Sequence, residues 1–433
     1  MLLYNLIWST VIPVIIALSM TGLRGRKAER LGIRLPVPID RVGSIWLHAL
    51  SVGEVISAAP LIEKLRCLAP SRPILLSVST EAGMKVAGER LADRVDRLFY
   101  MPLDLWWNWE RLISRLKPSI FLLVETDVWP ALLRMLNRRN IPCLLVNGRI
   151  SPSTYRNYKR FAFIVRRIFA NFSLCMMQSQ IDGRRLMNVK VGCPVAVSGN
   201  IKFDRRWKRL GREERSTWLN LMGYTPDDRV WVAGSTHRGE EEIILEVFLR
   251  LRKILPDLKL ILAPRRMDDC ARAHDTARKK GLKAVLRSEL PRDDKTGDLV
   301  ILNTIGELER IYGLAAVSFV GGSLVPFGGH NLLEPAAHGS AVFFGPHTYN
   351  FVEMADMLIS AGGGARVNDG EGLYVAMKAL LMDPGRCLEA GRRAEGFVAA
   401  NSGALSRVSA MILESLSHRE ELRTEDSTSS RIS

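Results

Sequence analysis

Residues 44–60 read SIWLHALSVGEVISAAP. "SIWL" is an apolar run of the kind that forms a buried strand. Val55, Ala59, Ile62, Leu65 and Leu68 then recur three or four apart, which is one face of a helix. A strand, a turn of small residues and a helix make the layout of a phosphate-binding loop. Yet the first helical turn carries Glu54, an anion at the spot a phosphate would favour. The layout points to the fold, and the misplaced carboxylate points to the chemistry.

The same rhythm repeats along the 433 residues. Strand candidates fall at 44–50, 73–78, 119–124, 141–146, 173–177 and 194–198, and again at 229–233, 258–263, 298–302, 316–320 and 341–344. Helical patterns separate many of them, as in doubly wound parallel sheets. The polar stretch 204–218 lies between the two sets. The expectation is an α/β chain of two Rossmann-like domains, 22–203 and 228–417, facing across a cleft and joined by a linker at 204–227. Helical patterns after 371 close the second domain. The tail, 418–433, is too polar to pack and reads as disordered.

Residues 2–20 carry no charge, and at 1.5 Å per residue such a run just crosses the ~30 Å hydrocarbon layer. Arg24, Arg26, Lys27 and Arg30 follow it, so residues 1–21 read as a membrane anchor with everything downstream in the cytoplasm, not as a cleaved signal. Whether the run spans or lies in the interface is open. The net charge is +16, and Arg134 to Arg212 holds 18 Lys or Arg against only Asp182 and Asp204, so this one region carries the whole imbalance. Within it, "YRNYKRFAFIVRRIF" (155–169) mixes bases with aromatic and aliphatic residues. It suits an anionic membrane surface or an amphiphilic polyanion; a plain solvated face is the bland alternative. No nucleic-acid-binding signature accompanies the charge. The six cysteines lack metal or disulfide spacing and read as reduced thiols.

Polar and glycine-rich clusters sit at the carboxyl ends of the strands, where open α/β sheets bind ligands. No G-x-G-x-x-G and no G-x-x-x-x-G-K-[ST] occurs, which disfavours nicotinamide dehydrogenases and P-loop NTPases. In "GGSLVPFGGHNLLEPAA" (321–337), Gly321, Gly322, Gly328 and Gly329 would let backbone approach a ligand closely. The helix start after them would favour a phosphate, and Glu334 could accept from a ribose diol. A glycine-rich structural turn is the alternative.

The ordered set "HALSVGE", "ETDVWPALL", "NGRIS", "GNIKFD", "AGSTHRGEEEI", "APRR", "GELERIYGLAAVSFVGGSLVPFGGHNLLEPAA" and "GPHTYNF" resembles the bacterial 3-deoxy-D-manno-octulosonic acid (Kdo) transferases, in order from about residue 21 to about residue 405. Small departures include Arg266 at a usual histidine. The resemblance implies a GT-B architecture with an N-terminal membrane anchor. It implies Kdo transfer from CMP-Kdo to the phosphorylated lipid A precursor (lipid IVA) in lipopolysaccharide biosynthesis, at the cytoplasmic face of the bacterial inner membrane. It makes Glu54 the general base, which agrees with a helix start keeping a carboxylate ionised. It makes Glu125 and Lys202 transition-state stabilisers. Pro264 and Arg265, Ile305, Gly306 and Glu307, and Asn331, Leu332, Leu333 and Glu334 match the family's CMP-contacting segments. Asp127, beside Glu125, reads as a helix cap. No D-x-D motif is present, so a metal-independent reaction without a cofactor is expected, and the family reading makes it an inverting one; His48, His237, His330 and His347 read as hydrogen-bonded loop residues. Another GT-B transferase or epimerase, or a non-catalytic membrane-surface protein, are the alternatives.

Overall fold

The computed structural model describes residues 26–429, apart from 126–127, 206, 208 and 292–296. The expected anchor, 1–21, and Asp127 lie outside the described residues. Among the described residues no helix is long and apolar enough to cross a membrane. The chain forms two compact units, Met1–Arg205 with Ser402–Ser433, and Arg206–Asn401.

The first unit holds seven parallel strands: β1 Ser44–Ala49, β2 Ile74–Val78, β3 Arg97–Tyr100, β4 Pro118–Val124, β5 Cys143–Gly148, β6 Leu174–Met177 and β7 Val195–Val197. Their order is β3-β2-β1-β4-β5-β6-β7. Every residue of β1, β2, β4 and β5 is buried, because helices cover both faces of the sheet. Alternation along β1 sends Trp46 to one core with Phe121 and Leu123, and Ile45 and Leu47 to the other. Helix Val52–Leu68 lays Val55, Ala58, Ile62 and Leu65 on that second core.

The second unit holds β8 Arg229–Thr236, β9 Leu258–Pro264, β10 Ala284–Leu286, β11 Leu299–Ile301, β12 Val317–Val320, β13 Ala341–Phe344 and β14 Gly364–Arg366. These are also all parallel, in the order β10-β11-β9-β8-β12-β13-β14. Chain order reverses between β1 and β4 in one sheet and between β8 and β12 in the other. Loops beyond the carboxyl ends of strands at such reversals are where open sheets bind ligands.

Every strand expected from the sequence is present. The three that were not expected, β3, β10 and β14, are all edge strands, short and only partly buried. An edge strand needs no long apolar run, and these three carry none, whereas the remaining edge strand, β7, was expected at 194–198.

Three boundaries differ from expectation. The 204–227 stretch is not a free linker: Arg212–Met222 is a helix whose Leu219 and Met222 enter the second unit's core with Tyr224, flanked by Leu210 and Trp218. Its apolar residues share one face among many charges, which hid them. The last helix, Ala404–Ser429, belongs to the first unit, not the second. Ala404, Val408, Ile412 and Leu416 fill the first unit's core, and Asp204 accepts from the Leu405 N–H at 2.7 Å and from Gly403 N–H. The polar tail is helical as far as Ser429 instead of disordered. Extending an established helix through good helix formers such as Glu, Leu and Arg costs little once a turn exists.

Candidate active site

In the first unit, β1 ends at Ala49 and Ser51 caps the next helix without a side-chain cap bond. Glu54, the helix's third residue, reaches back instead: its Oε2 accepts the Leu50 N–H. Glu54 is buried, so this bond and the helix start hold a charged group where solvent cannot. One turn on, Ser57 Oγ donates to Gly53 O at 2.8 Å and lies 3.4 Å from Glu125 Oε1.

Glu125 follows the last residue of β4 and has φ +66°. A non-glycine residue in the left-handed region costs roughly 1–3 kcal/mol and is a frequent mark of functional sites. Here that conformation turns the carboxylate to Lys202, whose Nζ lies 2.7 Å from Oε1, with the two side chains 34% and 15% exposed for Lys202 and Glu125. Lys202 rides on the short 3₁₀ turn Ile201–Asp204. Asn200 Oδ1 accepts the Lys202 N–H at 3.0 Å, and buried Asn147, at the end of β5, accepts the Ile201 N–H at 3.1 Å.

The structure therefore joins Glu125 to Lys202 directly and joins both, through Ser57, to the helix that carries Glu54. Ser57 was missed in the sequence. Its signal was the i, i+3 spacing from Glu54, which puts both on one helix face. His48 is not a loop residue as expected: it lies fully buried within β1, with Nδ1 at 3.0 Å from Ser77 of β2 and its ring edge-on to Trp129. The helix after "ETDVWP" receives Asp104, which accepts the Ala131 N–H at 2.9 Å and the Leu132 N–H at 3.0 Å.

In the second unit, the loops beyond β8 and β12 are tied by Glu240. This residue opens helix Glu240–Arg252 and is fully buried. Its carboxylate accepts N–H bonds from His237 at 2.9 Å, Gly322 at 2.7 Å, Ser323 at 3.0 Å and Leu324 at 2.8 Å. Ser323 Oγ then accepts the Gly345 N–H at 2.8 Å, which adds the loop beyond β13. A Cβ on Gly321 would stand 2.5 Å from Ser235 O, and one on Gly345 2.2 Å from Ser323 O. At these two positions the protein's own backbone already requires glycine. Glu240 was also missed: acids are ordinary in a helix's first turn, and "GEEE" looks like three of them.

Above this base, His237 Nε2 and His330 Nε2 are 2.8 Å apart, and Phe327 stacks on His237 at 4.0 Å. Burial holds His237 below its ordinary range, with Arg265 adding to the effect. Burial, then Arg265 and His237, pushes His330 down to about 4. Both rings are thus neutral at pH 7, one donating and one accepting, beside an exposed arginine.

The donor residues named from sequence distribute as follows. Pro264 ends β9, while Arg265 donates its N–H to Thr236 O at 2.8 Å and leaves its guanidinium exposed next to the histidines. Ile305 is 88% exposed and Gly306 has φ +89°. Glu307 accepts from Arg287 at 2.9 Å and from Thr304. Asn331 Nδ2 lies 3.4 Å from Glu334 Oε1, and Asn331 Oδ1 accepts the Leu333 N–H at 3.1 Å. Leu332 and Leu333 are buried, so only their backbone could meet a ligand. The helix expected there is short, Leu333–Ala337, and Asn331 already occupies its first N–H. Its dipole is correspondingly small. Among the described residues no three His, Cys, Asp or Glu side chains gather into a metal-holding group.

Residues 25–205 match the family described as 3-deoxy-D-manno-octulosonic-acid transferase (kdotransferase). The chain is 33% identical over 395 residues to the 3-deoxy-D-manno-octulosonic acid transferase of Haemophilus influenzae, covering 89% of this chain and 90% of that one. It is 31% identical over 390 residues to the enzyme of that name from Bordetella pertussis, covering 87% and 88%. Among solved structures, UDP-GlcNAc 2-epimerase from Neisseria meningitidis bound to UDP-GlcNAc matches with a TM-score of 0.59 at 13% identity, over 86% of this chain and 99% of that one. At that identity the likeness is one of fold.

Proposed function

The chain belongs to the Kdo transferase family of glycosyltransferases, and from that premise we propose that it moves Kdo from CMP-Kdo to the phosphorylated lipid A precursor, lipid IVA, with inversion and without a metal. The observation that carries this reading is the Glu125–Lys202 pair, tied through Ser57 to the helix that carries Glu54, at the carboxyl ends of the first unit's strands. An acceptor hydroxyl must lose a proton as it attacks the anomeric carbon, and the Glu54 carboxylate takes it. As the bond to the departing phosphate loosens, positive charge grows on the sugar and negative charge on the leaving group. The Glu125–Lys202 pair supplies both signs. CMP-Kdo is the second unit's ligand, with Arg265 the exposed cation for its phosphate and Asn331 and Glu334 the polar groups of the glycine loop. A monophosphate leaving group can be neutralised by such cations and backbone dipoles.

The basic region is the surface for the acceptor and for an anionic inner membrane, with residues 1–21 as the anchor. In helices Pro152–Arg160 and Ala162–Phe169, Arg156, Lys159, Arg160 and Arg167 are exposed beside Phe161, Phe163 and Ile164, and Phe163 is 74% exposed. Cations ringing exposed apolar side chains fit a phosphorylated amphiphile at a bilayer.

Release of CMP from CMP-Kdo, assayed with and without the phosphorylated precursor, tests the proposal. Release that needs both substrates and yields a Kdo-lipid product is expected. Epimerisation of a UDP-sugar, or vesicle binding without any CMP release, would replace this reading with one of its two rivals.

A further inference from the structure

We propose that Glu240 is a positioning residue for the donor: its carboxylate pre-forms the glycine loop that receives CMP-Kdo. The inference rests on the reading that the second unit binds this nucleotide sugar. A carboxylate has about four lone-pair sites, and Glu240 meets four backbone N–H groups, those of His237, Gly322, Ser323 and Leu324. It is fully buried, and it stands at the N-terminus of a helix of 13 residues. Peptide dipoles from two loops and the helix end therefore take the place of water around the charge. With its acceptor sites so occupied, the group is not placed to take a proton from a substrate. What it does is mechanical.

The two loops it joins follow β8 and β12, the strands between which the sheet's chain order reverses. From Gly322 the constraint spreads outward. Gly322 O accepts the Gly329 N–H at 2.7 Å, and a Cβ on Gly322, φ +66°, would stand 3.1 Å from the His330 ring. Ser323 O accepts the His347 N–H at 2.9 Å. Thus one buried carboxylate sets the path of 322–324, and that path sets where Gly329, His330 and Asn331 lie. A loop with this many glycines would otherwise sample many conformations, and ordering it on binding would cost affinity.

Glu240→Gln keeps the shape but turns one oxygen into an N–H₂ donor, which faces N–H groups already needing an acceptor. Glu240→Asp keeps the charge but withdraws the carboxylate by about one C–C bond, ~1.5 Å. Leaving buried N–H groups unmatched should loosen the loop and weaken CMP binding roughly 10-fold or more. KM for CMP-Kdo should rise in step, while kcat and the acceptor KM stay within about threefold. A core variant of the same unit, Met377→Ala, controls for stability alone: at a matched loss of Tm it should leave CMP affinity unchanged. Should Met377→Ala weaken CMP as much as Glu240→Gln does, Glu240 acts through stability and the proposal falls.

If neither Glu240 variant folds, hydrogen exchange of the full-length parent protein still decides the matter. The amides of Gly322, Ser323 and Leu324 should be protected without ligand, and saturating CMP should add little. Free exchange of these amides in the absence of CMP overturns the proposal. A parent protein that shows that protection yet binds no CMP would instead refute the donor-site reading, which keeps the two failures apart.

Discussion

Glu54 and Glu240 are built from one piece of local grammar, and the proposed mechanism puts them to opposite uses. Each lies in the first turn of the helix that follows a strand at its sheet's reversal, β1 or β8, and each is buried. Each also bears on the loop beyond the strand across that reversal. From Glu54's helix the link is Ser57 to Glu125, after β4; from Glu240 it is the carboxylate itself to Gly322–Leu324, after β12. The difference lies in the partners. Glu54 accepts one peptide N–H, that of Leu50, and its helix leads through Ser57 to the Glu125–Lys202 pair, whose lysine is a third exposed. Glu240 accepts four peptide N–H groups, and among the described residues no charged side chain follows from them. On the proposed reading, a buried acid after a central strand serves both units, and its surroundings decide whether it reacts or holds.

This contrast can be broken most forcefully at Glu54. Glu54→Gln should lower kcat by roughly 10²–10⁴ through loss of the base, with CMP affinity unchanged. Next comes Lys202→Met, expected to cost about 10²–10³ in kcat by removing one charge that acts in the transition state. Because Lys202 and Glu125 form one pair, the Lys202→Met, Glu125→Gln double variant should lose far less than the product of the single losses. Full additivity would mean that they act separately. Reversal of Arg156, Lys159 and Arg160 to Glu should act on KM for the lipid acceptor alone, by roughly 100-fold or more at ~1 kcal/mol per base. Its salt dependence should flatten with it, since exposed charges are screened over ~8 Å at physiological ionic strength. Equal salt slopes in parent and variant would move the acceptor elsewhere.

The smallest effect concerns pH. Burial pushes Glu241 up to about 7, against the Thr236 bond and the Arg272 charge that favour its ionised form. A carboxyl raised from 4.5 binds a proton in the folded state that the unfolded chain has lost. Its stabilisation is therefore full below pH 4.5 and lost as pH rises through 7. His330, depressed from 6.5 to about 4, works the other way: its contribution is full above 6.5 and lost as pH falls toward 4. The two slopes oppose each other between pH 4.5 and 6.5. Glu241→Gln removes one of them. Denaturation midpoints should shift in that variant's favour, relative to the parent, by up to roughly 3 kcal/mol between pH 4.5 and 7. Parallel pH profiles would show that Glu241 is ionised throughout.

Much of this was legible in the residues. The central strands announced themselves as unbroken apolar runs because both their faces are covered. Glu54 stood out because a carboxylate in a small-residue turn needs a reason. The edge strands β3, β10 and β14 were silent because half-exposed strands carry mixed residues. The helix at Arg212–Met222 was hidden by its charged outer face, and the last helix's return to the first unit has no local signature at all. At the site, side-chain chemistry could be read where one residue type is unusual in its place, as with Glu125 after "FLLV". Ser57 offered only its i, i+3 spacing from Glu54 and Glu240 nothing, since serine in a helix and glutamate at its start are commonplace, and the third dimension gives them their partners. The glycines of 321–329 were seen, but not the close neighbours that Gly321, Gly322 and Gly328 have within the fold: Ser235, His330 and Tyr349.

The most direct test sets the two glutamates side by side. CMP affinity, and kcat and KM for both substrates, should be measured for Glu54→Gln and Glu240→Gln under one set of conditions. A crossed pattern is expected: the first variant loses kcat and keeps CMP affinity, while the second loses CMP affinity and keeps kcat. If both variants lose both quantities, or Glu54→Gln retains near-parent turnover, the division between a reacting acid and a holding acid is wrong.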